Sequence, residues 1–301
     1  MHVLITLLFQ SPALAGETDN PLTLIDAGAE PRKVLKYKPK KGARTLVETT
    51  TTLDMAMVMT MPDGTEIPVP MGRIPSTRQR VLVEVQRKKD DGYLPISMER
   101  QELEIMGSPT NPNVAAGFDE GVDSVRTMGT ELLFDPKLGR IADVRVTGGT
   151  KTDLATAMEI GMRDNLKLQT ALPDEAVGLG AQWSFPLDLT GMGVAVAGTV
   201  IATVEELSKD RVVLSLGGEM GLVDDAPPPP GFPPGAVIEW TSAEGSISGS
   251  QIIDLRKMTF TGDQVSSAIV TASISSPDGT RASDMEMRIG SDVKNVEVGE
   301  E

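Results

Sequence analysis

The chain has 301 residues, enough for one large β domain or two small ones with a real core. Its formal charge of −15 excludes nucleic-acid binding and docking on anionic membranes, both of which need clustered Lys and Arg. With 3% aromatic residues and no Cys, the core must be built from aliphatic residues and the 16 Met, without disulfides, thiol catalysis or a lipid-bearing Cys.

Residues 1–15, MHVLITLLFQSPALA, are an apolar run ending in Ala13-Leu14-Ala15. This reads as a signal peptide cleaved after Ala15, although no basic residue precedes the run, and it is too short to span a bilayer. No later run is long and apolar enough to be a transmembrane segment. The expected mature chain is therefore exported, to the periplasm or beyond. Residues 16–31 are polar and rich in turn formers, and read as a flexible lead-in.

From residue 32 the pattern is strand and turn. Arg44 to about Met61 is a long alternating strand, closed by the Pro62-Asp63-Gly64 turn. Arg78 to Arg87 sets Val81, Val83 and Val85 on one face, and Tyr93 to Met106 follows the Asp90-Asp91-Gly92 turn. Residues 107–122 read as a loop, and 131–146 as a hairpin across Asp135 to Gly139.

One amphipathic helix is expected at about 151–169, because Leu154, Met158, Met162 and Leu166 recur at four-residue spacing. Pro173 ends it, and Gly178-Leu179-Gly180 reads as turn chemistry rather than a dinucleotide fingerprint. Strands resume at Gln182 to Leu187, Gly193 to Val204 and Arg211 to Leu216. After a proline-rich loop at 224–235, a meander runs through Ala236 to Trp240, Gly245 to Phe260, Val265 to Ser275 and Arg281 to Ile289, and residues 295–301 form an acidic tail.

The layout is one β-rich domain, 32–294, whose halves (32–149 and 180–294) are joined by the helix and turn at 150–179. The fold class is mainly β: a curved antiparallel sheet or half-open β-barrel carrying one inserted helix. A closed outer-membrane barrel is the rival fold, and the scarcity of aromatic girdle residues counts against it.

Chemistry is constrained by what is missing. The only His is His2, inside the expected signal peptide, so His-based triads and His-ligated zinc are excluded from the mature chain. No cofactor and no metal site is expected. Asp174-Glu175 and Asp224-Asp225 are the remaining carboxylate pairs for a hydrolase of envelope polymers, and two Trp and two Tyr leave few sugar platforms. Asp119, Glu120 and Asp123 lack the spacing of a calcium loop.

Met55, Met57, Met59 and Met61 fall on one strand face, and Met285 and Met287 repeat the spacing. Three readings stand: closed core, a soft Cu(I) site, or a pliable wall of an apolar cavity. Under the last, Met55, Met57, Met59, Met61, Leu154, Met158, Met162, Trp183, Met285 and Met287 contact the ligand. The partner would be an apolar small molecule or lipid. Trp183 and Trp240 equally suit core anchoring.

Tyr37-Lys38-Pro39-Lys40-Lys41-Gly42 before a Thr-rich strand, Gly139 to Val144, and Leu172-Pro173-Asp174-Glu175 to Trp183 resemble elements of exported bacterial β-rich proteins with no assigned function. The resemblance spans most of residues 32–260 and implies a half-barrel layout like that of lipoprotein carriers; it implies no site residues. The expected function is non-catalytic binding of an apolar ligand, against the hydrolase and copper alternatives. Replacing Asp224 and Asp225 together by Asn is expected to leave function intact; loss of a measured hydrolytic activity in a folded variant would favour the hydrolase instead.

Overall fold

The computed structural model describes residues 22–69, 75–90, 92–108, 129–137, 139–147, 171–188, 195–223, 237–275 and 281–300. The expected helix at 151–169 and the proline-rich loop at 224–235 lie outside them. Among the described residues no helix is long and apolar enough to cross a membrane.

Fifteen strands account for most of the described chain: β1 Thr23–Asp26, β2 Lys33–Val34, β3 Arg44–Thr60, β4 Glu66–Val69, β5 Ser76–Val85, β6 Leu94–Met106, β7 Gly129–Asp135, β8 Arg140–Thr147, β9 Ala176–Val177, β10 Gln182–Asp188, β11 Val196–Leu207, β12 Arg211–Leu222, β13 Val237–Asp254, β14 Thr259–Ser275 and β15 Arg281–Glu300. Thirteen form one antiparallel sheet in the order β1-β10-β11-β12-β13-β14-β15-β3-β5-β6-β7-β8, with β4 pairing on β3. The sheet does not close into a barrel; β1 and β8 stand at its two ends. β2 and β9 make a separate two-stranded ribbon.

The expected turns form where Gly supplies a positive φ. At the β3–β4 turn Gly64 has φ 84°, and the Thr65 amide donates to the Asp63 carboxylate at 2.9 Å, which holds that carboxyl below its ordinary range. Three sequence readings need correction. The meander is three long strands, β13, β14 and β15, the first two joined at Asp254, whose carboxylate takes the Arg256 and Lys257 amides, each at 2.8 Å. This turn carries no Gly or Pro and was invisible as punctuation. The expected tail is ladder-bonded: β15 continues past Asn295, which sits opposite Thr49 on β3. The expected lead-in is docked in its later part, since β1 pairs with β10 and Ala29 donates to the Leu179 carbonyl at 2.8 Å.

β15 pairs with β3 along almost its full length, so the last strand stitches the two halves of the chain into one sheet. Its 20 residues span about 65 Å, and strands that long coil. The coiling brings both ends of the sheet into one core. Val85, Ile96 and Leu132 from the β5–β8 arm share a buried cluster with Trp183, Ala202 and Leu214 from the β10–β12 arm. A second cluster lies farther along the same inner face, around Leu53, Met57, Val270 and Met287. The outer face carries charge instead: Arg80 lies 2.9 Å from Glu48 and 3.0 Å from Glu102 across three strands, and Arg78 pairs with Glu104. These exposed pairs mark the outer face and contribute little stability.

The first cluster is capped by residues 35–40. The Lys38 amide donates to Leu255 O at 2.7 Å and the Tyr37 amide to Gly139 O at 3.3 Å, tying the β13–β14 and β7–β8 turns together. The Tyr37 ring meets Phe134 and Phe260 edge-on, at 6.5 and 6.2 Å. Its hydroxyl is buried without a partner among the described residues, and burial pushes its pKa far above the ordinary value.

Bending needs backbone contact on the inner side. A Cβ at Gly249 would overlap the Asp263 carbonyl oxygen of the next strand and come within 2.8 Å of Gln264 Cα. Gly249→Val is therefore expected to cost about 3 kcal/mol by overpacking. Gly217→Ala, one strand over and on the open outer face, should instead stabilise by about 0.5 kcal/mol. Urea melts check both. Tyr37→Phe removes only an unpartnered hydroxyl and should leave stability equal or raise it by about 1 kcal/mol in the same assay.

Candidate ligand-binding site

Register decides which inner-face side chains are neighbours. Residues directly opposite in an antiparallel ladder share a face, so the inner face can be followed rung by rung across the strands. One rung runs Gln79, Thr49, Asn295, Gly262, Gln251, Leu214 from β5 to β12. The next runs Thr51, Val293, Gln264, Gly249, Leu216, Ala202, Trp183. A third runs Leu53, Ser291, Ser266, Ile247, Gly218, Val200, Phe185. The fourth is Met55, Ile289, Ala268, Gly245, Met220, Gly198, Leu187.

A cavity of about 230 Å³ opens over the first three of these rungs, between the β3–β5–β6 side of the sheet and the β10–β12 side. Its apolar wall comes from Trp183, Phe185, Leu214, Leu216 and Ile247, with Val81 and Met98 facing them. Its polar wall is Thr49, Gln79, Gln251, Gln264, Ser266 and Asn295. Met258 closes it near the β13–β14 turn; φ of 58° at this residue turns a 2% exposed side chain inward. A non-glycine residue in the left-handed region is strained, and here burial in the first cluster holds it.

A cation lies behind the polar wall. Arg100, on the inner side of the bulge between β5 and β6, donates its Nε–H to Gln79 Oε1 at 3.0 Å. Burial lowers the Arg100 pKa, and the guanidinium remains charged at neutral pH because its ordinary value is so high. The hydroxyls of Ser266 and Ser291, opposite one another on β14 and β15, are buried without partners among the described residues. Buried hydroxyls in that state cost stability.

Of the residues singled out from sequence, Trp183 lines the cavity and is 2% exposed. Met55, Met57, Met59, Met285 and Met287 share the inner face but belong to the second cluster, with Met57 opposite Met287 and Met59 opposite Met285. Val270, Ala272 and Ile289 interleave with them there. Met61 lies just past the end of β3 and is 38% exposed, its amide donating to the Thr65 carbonyl at 2.9 Å. Leu154, Met158 and Met162 lie outside the described residues, as do Asp224, Asp225, Asp119, Glu120 and Asp123. Asp174 and Glu175 are exposed. Among the described residues no group of three or more His, Asp or Glu could hold a metal ion. Sequence reasoning missed Met98, Met220 and Met258, and it missed the amide rung entirely. The available signal was parity: Thr49 shares the odd-numbered face of Met55 and Met57.

No protein-family model matches the chain, and no curated protein matches it in sequence. Among solved structures it is similar to a chain from a study of lipid–protein interactions in lipovitellin, at 10% identity and a TM-score of 0.41; the alignment covers 88% of this chain and 26% of that one. The chain thus spans about a quarter of the length of that neighbour, for which the alignment covers 26%. An outer membrane channel from Pseudomonas putida F1 aligns over 87% of this chain and 98% of the channel, at 9% identity and a TM-score of 0.17. Neither likeness is close enough to bear on function.

Proposed function

We propose that this is an exported, non-catalytic binding protein that holds one slender apolar or amphipathic molecule between the two arms of its sheet. The observation that carries the reading is the cavity itself: a partly open space with an aromatic and aliphatic wall facing a row of uncharged polar groups. Binding sites for small molecules have this composition, mostly apolar with a few placed polar groups. The volume of about 230 Å³ has room for a ligand of many non-hydrogen atoms rather than a single water.

In this reading the methionine ladder, packed beyond the cavity in the second cluster, is the part of the inner face that can repack around guests of differing length. Leu154, Met158 and Met162 would present an apolar lid from the 150–179 connection between the halves 32–149 and 180–294. Export, and the signal peptide at 1–15, belong to the same proposal.

Native mass spectrometry of the protein purified from its own host is expected to show a co-purifying molecule that partitions into organic solvent. A copper adduct instead would favour metal binding by the Met ladder, and an empty protein would sink both. Leu216→Trp places a large ring in the cavity and should abolish the adduct while preserving or raising the melting temperature.

A further inference from the structure

We infer that the ligand is a neutral acyl ester, its chain against Trp183 and Leu216 and its carbonyl end on the rung formed by Gln79, Thr49, Asn295 and Gln251. This rests on the reading of the cavity as a binding site and goes beyond it by naming the chemistry of the polar end.

The argument begins with Arg100. A guanidinium has donors only, so the Gln79 atom that meets Arg100 Nε at 3.0 Å must be the carbonyl oxygen. The orientation of this amide is thereby fixed, and its NH₂ group is directed away from Arg100. Gln79 also lines the cavity, so what it offers there is a donor. Thr49 is directly opposite Gln79, Asn295 opposite Thr49, Gly262 opposite Asn295, and Gln251 opposite Gly262. All five line the cavity. Gly262 contributes no side chain, and an added Cβ there would overlap the Ser250 carbonyl oxygen, so the middle of the rung is backbone packed on backbone. Two rungs on, the buried Ser266 hydroxyl, without a partner among the described residues, also lines the cavity and supplies a further donor.

Charge selects among ligands that accept hydrogen bonds. Among the described residues the only ionisable one lining the cavity is Asp263, and its carboxylate accepts from Ser250 Oγ at 2.6 Å on the exposed side. Arg100 is not among the lining residues and is engaged with Gln79. A free carboxylate entering this space would lose its hydration without a direct ion pair, because Gln79 stands between it and Arg100, and that is costlier than burying an ester carbonyl. A pure hydrocarbon would fill the apolar wall but leave the amide rung and Ser266 facing it unpaired. A neutral carbonyl oxygen satisfies both walls.

The test uses the full chain carrying Trp240→Phe, which leaves Trp183 as the one reporter in the cavity wall. Its fluorescence is titrated at pH 8 with ethyl octanoate, octanoate and n-octane, each below its solubility limit. Ethyl octanoate is expected to bind about tenfold more tightly than either competitor, the worth of one or two hydrogen bonds. Gln79→Met and Gln251→Met keep side-chain length but remove the amide. Each is expected to weaken the ester about tenfold and leave octane unchanged. Octanoate binding as well as the ester would overturn the neutral-ester assignment, as would octane binding equally well. In both cases the cavity would stand as an apolar site. No binding of any of the three would overturn this inference together with the proposed function.

Discussion

Strands can close on one another along the concave side of a bent sheet only where a side chain is missing. Here the missing side chains fall on a diagonal. Gly262 on β14, Gly249 on β13, Gly218 on β12 and Gly198 on β11 each lie one strand over and one rung along from the last. At each of them an added Cβ would overlap a carbonyl oxygen of the adjoining strand. The diagonal is thus a fold line, oblique to the strands as the coil of a twisted sheet requires. Everything else about the interior follows from it, because it brings the β10–β12 arm over β3, β5 and β6.

The fold line also explains why an open space persists in an otherwise buried face. Along it, the inner surface is backbone rather than side chain. The rungs that cross it carry short or polar residues at their centre, Asn295, Gln264 and Ser266, with bulk only toward the arms. Farther along, where Met57, Met287 and Val270 meet, the rungs have bulk at their centre and the interior closes. The same strands therefore build a cavity at one level and a packed core at another. Only the side-chain size at matching rungs differs.

The connection at 171–188 holds the near end of this arrangement. Gly178 sits so close to Ala29 that a Cβ would overlap the Ala29 carbonyl oxygen, and the Gly178 amide donates to Ala27 O at 2.8 Å. The Gly180 amide reaches the Val204 carbonyl at 2.9 Å, and the Val204 amide returns to Ala181 O at the same distance. These glycines do more than turn the chain: they lock residues 27–29 onto the end of β11. Trp183 then enters β10 directly from this lock, which is why its indole is so firmly placed in the cavity wall.

Much of the architecture was legible in the amino-acid order. Alternation in β3 and β5, Asp-Gly at the β3–β4 turn, and the proline break before Trp183 are local signals, and local sterics are enough to read them. The β13–β14 turn was not legible, because Asp254 makes it with a side-chain oxygen and without Gly or Pro. Nor was the continuation of β15, whose acidic end looks like a tail until β3 is set beside it. The inner face of the Met ladder could be assigned by parity alone. Its place in the second cluster, and that of Gln79, Thr49, Asn295 and Gln251 on the cavity, could not. Parity says which face a residue takes, but register across strands far apart in sequence says which residues become neighbours, and only the folded sheet sets that register.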